Sequence, residues 1–167
     1  MTRTKTLYTA AATVTGGRAE GRGVTDDGAL DVRLGLPVEM GGTGEGTNPE
    51  QLFAVGYAAC FEGALGVVCR RHRTEPGEVS IESIVRLINT GGDAWNIGVE
   101  LRVTLPGVTE PARAAQLLAD AHEICAYSKA TRGNIQLKLM ANGSEVAVAR
   151  PAQAASIESH SGSAKSH

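Results

Sequence analysis

Cysteine is scarce in this chain, with three among 167 residues. A low and odd count does not fit a small secreted scaffold held together by several disulfides. The first residues lead into a threonine-rich, alternating segment and not into the apolar core of a signal peptide. We therefore expect a reducing, cytoplasmic location, where a disulfide is more often catalytic or transient than structural.

Aromatic residues and excess positive charge are also scarce. The chain has one Trp, three Tyr and two Phe, and its 16 basic and 18 acidic residues give a net charge of −2. Nucleic-acid binding needs a basic surface or aromatic platforms for base stacking, so no nucleic-acid partner is expected. The glycine-rich residues 41–46 lack the Gly-Lys-Ser/Thr ending of a phosphate loop, so nucleotide binding is not predicted.

A long run with almost no charge begins at Leu52. Residues 52–69 contain one charged side chain, Glu62, and approach the ~17–25 residues that a membrane span requires. The charge in the middle of the run favours a buried core helix, so no membrane association is expected. Thr47 and Glu50 have the spacing of a capping box and Pro49 suits a first turn, which predicts a helix from there to about Arg71.

Alternating and helical patterns in the rest of the chain predict the order βββ-α-ββ-α-β. This order indicates an α+β domain with mainly antiparallel pairing. A hydrophobic content of 42% is enough for a single core. We place this domain at residues 1–142. Residues 143–167, most of them small or polar and without periodicity, are predicted to form a flexible C-terminal tail.

Small residues form a stripe on one face of the first long helix: Gly56, Ala59, Gly63 and Gly66. Each glycine inside a helix costs about 0.5–1 kcal/mol relative to alanine, so the stripe needs an explanation. Close packing of a second backbone would supply one. Since no other predicted helix is long and apolar enough, we predict that this helix packs on its own copy in a homodimer.

Two of the cysteines lie in very different settings. Cys60 is inside the apolar run, and Cys125 ends the second predicted helix. Either one would usually be an inert buried thiol, but a pair near an arginine and a glutamate would make a thiol redox site. A free thiol with a pKa near 8.5 is only about 3% ionised at pH 7, and a nearby guanidinium lowers such a pKa by about 1–3 units.

Arg18 and Glu50 are the candidates for activating a thiolate. Arg18 follows two glycines, and Glu50 could hold its guanidinium in a charge-assisted pair. From spacing alone, a solvated Arg18 and a capping role for Glu50 are the commoner outcomes.

Several segments, taken in order, resemble the Ohr branch of the OsmC/Ohr superfamily, the organic hydroperoxide resistance proteins. The resemblance covers about residues 5–140, and it reverses the preference just stated for Arg18 and Glu50. One departure is Ala126, where the family commonly has proline. The matching segments are Thr-Gly-Gly-Arg at 15–18, Gly-Gly-Thr-Gly at 41–44, Thr-Asn-Pro-Glu-Gln-Leu-Phe-Ala at 47–54, Ala-Ala-Cys-Phe at 58–61 and Cys-Ala-Tyr-Ser-Lys-Ala-Thr-Arg-Gly-Asn at 125–134.

This resemblance implies a thiol peroxidase that reduces organic hydroperoxides. It implies that Cys60 is the peroxidatic cysteine, that Cys125 is the resolving one, and that Arg18 and Glu50 activate the thiolate and orient the peroxide. The implied fold has antiparallel sheets around a long central helix in an intertwined homodimer. The implied reductant is a lipoyl group on a protein or another dithiol, and no metal, flavin or haem is required.

Three alternatives stay open at this point. The first is a peroxidase of the OsmC branch with another substrate preference, and the second is a non-catalytic redox sensor. The third is a zinc site made by Cys60, Cys69, His122 and Cys125. It is disfavoured because nine residues at ~100° each place Cys60 and Cys69 on opposite helix faces. Phe53, Tyr57 and Phe61 are predicted either to offer apolar surface to an alkyl chain or to be ordinary core residues.

Overall fold

In the computed structural model, which describes residues 4–148, the chain divides after Leu52 into two units. The first unit carries the predicted three-stranded antiparallel sheet, in the order β1-β2-β3. The alternating residues 8–15 predict a half-buried first strand, but all four residues of β1 are exposed, so this expectation is wrong. Its elements are β1 (Ala12–Thr15), α1 (Gly17–Glu20), β2 (Arg22–Thr25), β3 (Asp31–Arg33) and a 3-10 turn at Val38–Met40.

The long helix α2 runs from Pro49 to Arg71, as predicted, and it is continuous over its 23 residues. The capping residue differs from the prediction. The side-chain oxygen of Asn48 accepts the backbone N–H of Gln51 at 2.9 Å, so Asn48 and not Thr47 caps the helix. Gln51 then occupies the position that a capping box gives to a glutamate, and Glu50 is left free for another partner.

The second unit holds a four-stranded sheet in the order β4-β5-β6-β7. β4 and β5 pair antiparallel, whereas β6 lies parallel to β5 because two helices cross between them. This pattern confirms the predicted α+β class, although one pairing is parallel. The elements are β4 (Ser80–Asn89), β5 (Trp95–Thr104), α3 (Pro111–Ile124), α4 (Ala126–Thr131), β6 (Gln136–Ala141) and β7 (Ser144–Val146).

β7 lies inside the segment that we predicted to be a tail from residue 143. It pairs antiparallel with β6, with Val146 opposite Leu139, and Val146 is buried. A strand of three residues is too short to show periodicity, which is why the sequence gave no sign of it. The rest of the predicted tail, from residue 149 onward, lies outside the described residues.

The core of the second unit lies between the sheet and the helices. By length and composition α2 could cross a membrane, but Tyr57, Phe61 and Leu65 on one of its faces are built into this core. Burial in this core therefore accounts for part of its apolar character, since 28% of the most apolar window is buried. The fully buried residues Leu101 and Leu139 sit opposite each other on β5 and β6. α3 contributes Ala114, Leu117, Leu118, Ala121 and His122, whereas the sequence pattern predicts Ala115, Leu118, Ala119 and His122 as its inward face.

The structure explains one glycine of the stripe on α2 and leaves another uncovered. A Cβ added at Gly56 would lie 3.2 Å from the hydroxyl of Tyr127, so α4 of the same chain explains this glycine. At Gly63, no atom of the described chain lies within 4 Å of such a Cβ. Packing inside the chain thus accounts for only part of the stripe, and the homodimer stays a prediction.

Candidate active site

The second unit brings two sulfur atoms together. The thiol of Cys125 donates to Sγ of Cys60 across 3.5 Å, and both residues are free cysteines. Cys60 is on the middle of α2, while Cys125 occupies the junction between α3 and α4. Since a disulfide bond is about 2.05 Å long, the sulfurs need to approach by roughly 1.5 Å to join. The structure thus sets the predicted redox pair side by side in its reduced form.

The two thiols differ in their access to solvent. Cys60 is partly exposed, whereas Cys125 is only 1% exposed. Burial raises the pKa of the Cys125 thiol, and the neighbouring Ser128 acts in the opposite direction. Of the two residues, Cys60 is therefore the more accessible to a molecule from solvent.

Three hydroxyl groups adjoin this pair. The phenol of Tyr57 lies 3.1 Å from Oγ of Ser128 and 3.3 Å from Oγ1 of Thr131. Burial is the main cause that raises the pKa of Tyr57, with smaller contributions from Cys125 and Cys60, so this phenol keeps its proton. No pattern in the sequence pointed to Ser128 or Thr131 by itself. The one available signal was the spacing of Ser128, which follows Cys125 by three residues. When a helix begins after a residue, the third residue on lies close to it.

Aromatic side chains cluster beside these hydroxyls. Phe53 stacks on Tyr127 at a centroid distance of 5.9 Å and meets Tyr57 edge-on at 5.7 Å. Tyr57 and Phe61 are fully buried, so the idea that they offer surface to an alkyl chain is wrong. Phe53 is partly exposed and Tyr127 is 39% exposed. These two rings are the aromatic surface that the second unit presents near its thiols.

The first unit carries the predicted ion pair. Gly16 and Gly17 adopt positive φ angles of 75° and 70°, which glycine reaches without strain, and they turn the chain into α1. Nη2 of Arg18 then donates to Oε2 of Glu50 at 2.8 Å, with side-chain exposures of 39% and 18%. Arg18 is therefore not a free, solvated arginine, and Glu50 does not act in a capping box.

The third cysteine takes no part in this arrangement. Cys69 is buried in the core of the second unit, and burial raises the pKa of its thiol. In residues 4–148 no group of three or more His, Cys, Asp and Glu side chains is placed to hold a metal ion. The alternative zinc set of Cys60, Cys69, His122 and Cys125 is therefore not assembled, because the helix directs Cys69 away from the redox pair.

Known proteins similar to this chain belong to the family that its motifs resemble. A family model described as OsmC-like protein matches residues 42–140. An organic hydroperoxide resistance protein of Xanthomonas axonopodis pv. citri is 53% identical over 137 residues, which cover 81% of this chain and 94% of the relative. The OhrB protein of Bacillus subtilis is 46% identical over 134 residues, covering 80% and 96%.

Solved structures share the fold. A crystal structure of an organic hydroperoxide resistance protein from Legionella pneumophila has a TM-score of 0.77 at 45% identity and covers 81% of this chain and 98% of its own. A second structure, from Vibrio cholerae and described as a putative protein of the same kind, has a TM-score of 0.80 at 38% identity and covers 87% and 99%.

Proposed function

We propose, from the premise that this chain belongs to the Ohr branch of the OsmC/Ohr superfamily, that it is a cysteine-based peroxidase of organic hydroperoxides. The observation that carries the mechanism is the 3.5 Å contact between a partly exposed thiol and a buried one, Cys60 and Cys125. In this proposal the Cys60 sulfur reacts with the hydroperoxide and the buried Cys125 sulfur then reacts with the oxidised Cys60. The names of the relatives support resistance to organic hydroperoxides, and the thiol chemistry is our addition.

The first step belongs to Cys60. Its thiolate attacks the distal oxygen of the hydroperoxide, the O–O bond breaks, and the departing alkoxide takes a proton and leaves as an alcohol. Cys60 becomes a sulfenic acid, so its sulfur is oxidised by two electrons and the peroxide is reduced by two. Cys125 then attacks that sulfur, an S–S bond forms, and the sulfenic hydroxyl leaves as water.

An external dithiol closes the cycle. One of its thiolates attacks the disulfide, a mixed disulfide forms, and its second thiol releases the protein in the reduced form. We propose a lipoyl group on a protein, or another dithiol, as this reductant, with no metal, flavin or haem involved. We also propose a cytoplasmic location, because a cycle that ends in free thiols suits a reducing compartment. We propose in addition that the protein is a homodimer, because Gly63 on the small-residue stripe of α2 is not covered within the described chain.

An organic substrate is favoured over hydrogen peroxide by the aromatic surface near the thiols. The partly exposed rings of Phe53 and Tyr127 stack on each other, and both contact Tyr57, which is close enough to Cys60 and Cys125 for their charges to affect its pKa. Burial of apolar substrate surface contributes about 25 cal/mol per Å². Hydrogen peroxide has no such surface to bury.

The substrate class is tested by steady-state peroxidase rates with dihydrolipoamide as reductant. We expect kcat/KM to be about tenfold or more higher for tert-butyl and lipid hydroperoxides than for hydrogen peroxide, since burial of even a small alkyl group is worth over 1 kcal/mol. A preference for hydrogen peroxide would refute the substrate class. Stoichiometric oxidation without turnover would refute catalysis and favour a redox sensor.

In this proposal Arg18 stabilises the charge of the Cys60 thiolate and orients the peroxide, and Glu50 holds Arg18 in place. Replacing Arg18 with alanine is expected to slow both the alkylation of Cys60 at pH 7 and the reduction of peroxide about tenfold, because the sulfur loses a positive neighbour. Glu50→Ala should act less strongly, because it frees Arg18 without removing its charge.

The matched control for this experiment is Arg22→Ala. Arg22 also makes an ion pair within the first unit, with Asp31, and its side chain is 65% exposed. Losing that pair should leave both the alkylation of Cys60 at pH 7 and the rate of peroxide reduction unchanged. Equal alkylation rates in Arg18→Ala and the Arg22→Ala control would remove Arg18 from the activating role.

A further inference from the structure

The position of the Cys125 sulfur depends on a short helix. Cys125 directly precedes α4, whose six residues are Ala126–Thr131. A helix of this length is not stable by itself, so its contacts with neighbouring elements decide where it lies. Because Cys60 belongs to α2, the contacts between α4 and α2 are the ones that set the distance between the two sulfurs.

The first of these contacts is a notch in the surface of α2. A Cβ added at Gly56 would lie 3.2 Å from Oη and 3.4 Å from Cε2 of Tyr127, so the Tyr127 ring occupies space next to the helix that a side chain would otherwise fill. Phe53 stacks on this ring at a centroid distance of 5.9 Å, and Tyr57 flanks it at 5.8 Å. We call Phe53, Gly56 and Tyr57 the notch.

The notch is close to both cysteines. Its three residues and Cys60 follow the spacing i, i+3, i+4 and i+7 in one continuous helix, so they share a face of α2. Cys60 lies one turn, ~6 Å along the axis, beyond Gly56. On the side of α4, the ring in the notch belongs to Tyr127, two residues after Cys125. A shift of Tyr127 in the notch therefore shifts Cys125 relative to Cys60.

A second contact ties α4 to the same face of α2. Oη of Tyr57 lies 3.1 Å from Oγ of Ser128 and 3.3 Å from Oγ1 of Thr131. Tyr57 and Ser128 are fully buried, and buried hydroxyl groups keep such hydrogen bonds because no water replaces them. α4 is thus held by the notch near its start and by these hydrogen bonds along its length.

We propose that Gly56 is a positioning residue for formation of the disulfide, because its missing side chain lets Tyr127 settle in the notch and thereby holds Cys125 within reach of Cys60. The inference rests on the proposed function, since it concerns the second step of that cycle. Gly56 contributes no group to the chemistry. The Cys125 sulfur bonds to the Cys60 sulfur, the S–O bond of the sulfenic acid breaks, and the hydroxyl leaves with the thiol proton as water.

The distance between the sulfurs leaves little room for displacement. At 3.5 Å they are at the upper end of the ~3–3.5 Å that suits reacting atoms, and a misplacement of ~1 Å can slow a step about 100-fold. An alanine at Gly56 would place its Cβ closer to the Tyr127 hydroxyl than ordinary van der Waals contact, so the ring has to move by a few tenths of an ångström. A loss of several-fold in rate follows.

The test measures disulfide formation in single turnovers with an excess of organic hydroperoxide. This step has no external reactant, so its rate does not depend on hydroperoxide concentration, and a change in substrate affinity does not enter it. We expect Gly56→Ala to form the disulfide about fivefold more slowly than wild type, and Gly56→Leu more than about tenfold more slowly, because the larger side chain displaces the ring further. Mass spectrometry should show more sulfinic acid on Cys60 in both variants.

A matched control and a rescue exclude a purely structural effect. Gly66 is also a partly buried glycine of α2, but a Cβ there would meet Nη1 of Arg70 at an ordinary 3.5 Å. Gly66→Ala gives the helix the same added methyl group and should leave disulfide formation unchanged. The rescue uses Tyr127→Phe, which removes the atom nearest to the added Cβ. In that background Gly56→Ala should cause little further loss relative to Tyr127→Phe alone.

The outcomes are distinct. Equal rates of disulfide formation in Gly56→Ala and Gly66→Ala would overturn the role of Gly56 and leave the peroxidase intact. An equal loss from Gly56→Ala with and without the Tyr127 hydroxyl would show that Gly56 does not act through Tyr127. Tyr127→Ala, which empties the notch without changing α2, should also slow disulfide formation, and a wild-type rate there would contradict the proposal. Failure of the wild-type protein to oxidise Cys60 with any hydroperoxide would overturn the proposed function itself.

Discussion

Replacing Cys60 with serine is expected to abolish hydroperoxide turnover. A hydroxyl at this position is not ionised near pH 7 and cannot form a sulfenic acid, so neither the first nor the second step of the cycle has a starting point. The loss should be complete within detection, measured as consumption of organic hydroperoxide with a dithiol in excess. Full steady-state activity in Cys60→Ser would refute the assignment of the reacting sulfur.

Cys125→Ser should give a different defect. Cys60 remains able to react once, so a stoichiometric amount of hydroperoxide should disappear, leaving a sulfenic acid that no second sulfur removes. Further peroxide should then convert it to sulfinic acid. Multiple turnovers at the wild-type rate in the absence of an added monothiol would show that Cys125 is not the resolving cysteine.

Cys69→Ser supplies the matched control on the same helix. Cys69 is buried in the core and is not part of the redox pair, so its loss should leave turnover close to wild type. Its serine hydroxyl has to be buried, which is expected to lower stability by about 1–3 kcal/mol and to be visible in a denaturant titration. A large loss of activity with the fold intact would mean that the third cysteine has a role in the cycle.

A mixed dimer is expected to be more active than either of its parent homodimers, Cys60→Ser and Glu50→Ala. One chain carries Cys60→Ser and the other carries Glu50→Ala. The two residues are ten positions apart in one continuous helix, which corresponds to about 15 Å along its axis. A glutamate side chain does not cover that distance. The other route to a site within one chain was a break near Gly56, and α2 has none.

The expected recovery follows from an antiparallel crossing of two α2 helices, which would bring Glu50 of one chain towards Cys60 of the other. The intact Cys60 of the mixed dimer then faces the intact Glu50 of the Cys60→Ser chain. One of its two sites should work, at about half the activity of the wild-type dimer. Two different affinity tags allow the mixed dimer to be isolated before its rate is measured.

The reciprocal mixed dimer is the control with the opposite outcome. It pairs a wild-type chain with a chain carrying both Cys60→Ser and Glu50→Ala. If the site is completed across the dimer, the only intact Cys60 faces an alanine, and activity should fall to about half that of the Glu50→Ala homodimer, which has two such sites. About half of wild-type activity in this reciprocal dimer, with no more than Glu50→Ala activity in the first one, would show that each site is built within one chain.

Sequence patterns were most informative where a feature depends on neighbours along the chain. The span of α2 follows from a long apolar run with a start signal, and its predicted end at Arg71 agrees with the structure. The three-stranded sheet at the N-terminus follows from alternating residues on either side of an Asp-Gly turn signal at 27–28, and Gly28 has a φ of 70° there. The elements α1, α4 and β7 were not predicted, because with six residues or fewer each is too short to show a period of its own.

Features that depend on distant residues could not be derived this way. The spacing of Thr47 and Glu50 fits a capping box, but Asn48 caps the helix and Glu50 binds Arg18, which is 32 residues away. Phe61 and Phe53 have the same apolar chemistry and lie on the same helix, yet one is fully buried and the other is partly exposed. Which of the two rings is buried depends on the core residues packed around the helix.

The sequence by itself determined the α+β class, the central helix and the family, because each is encoded in local periodicity or in motifs that stay contiguous. It also singled out Cys60 and Cys125 through those motifs. Only the tertiary structure decided that their sulfurs lie 3.5 Å apart, that one is reachable and the other buried, and that Ser128, Tyr57 and Thr131 join behind them. Distances and burial arise when the sheet packs on α2 and α3, and no local pattern contains them.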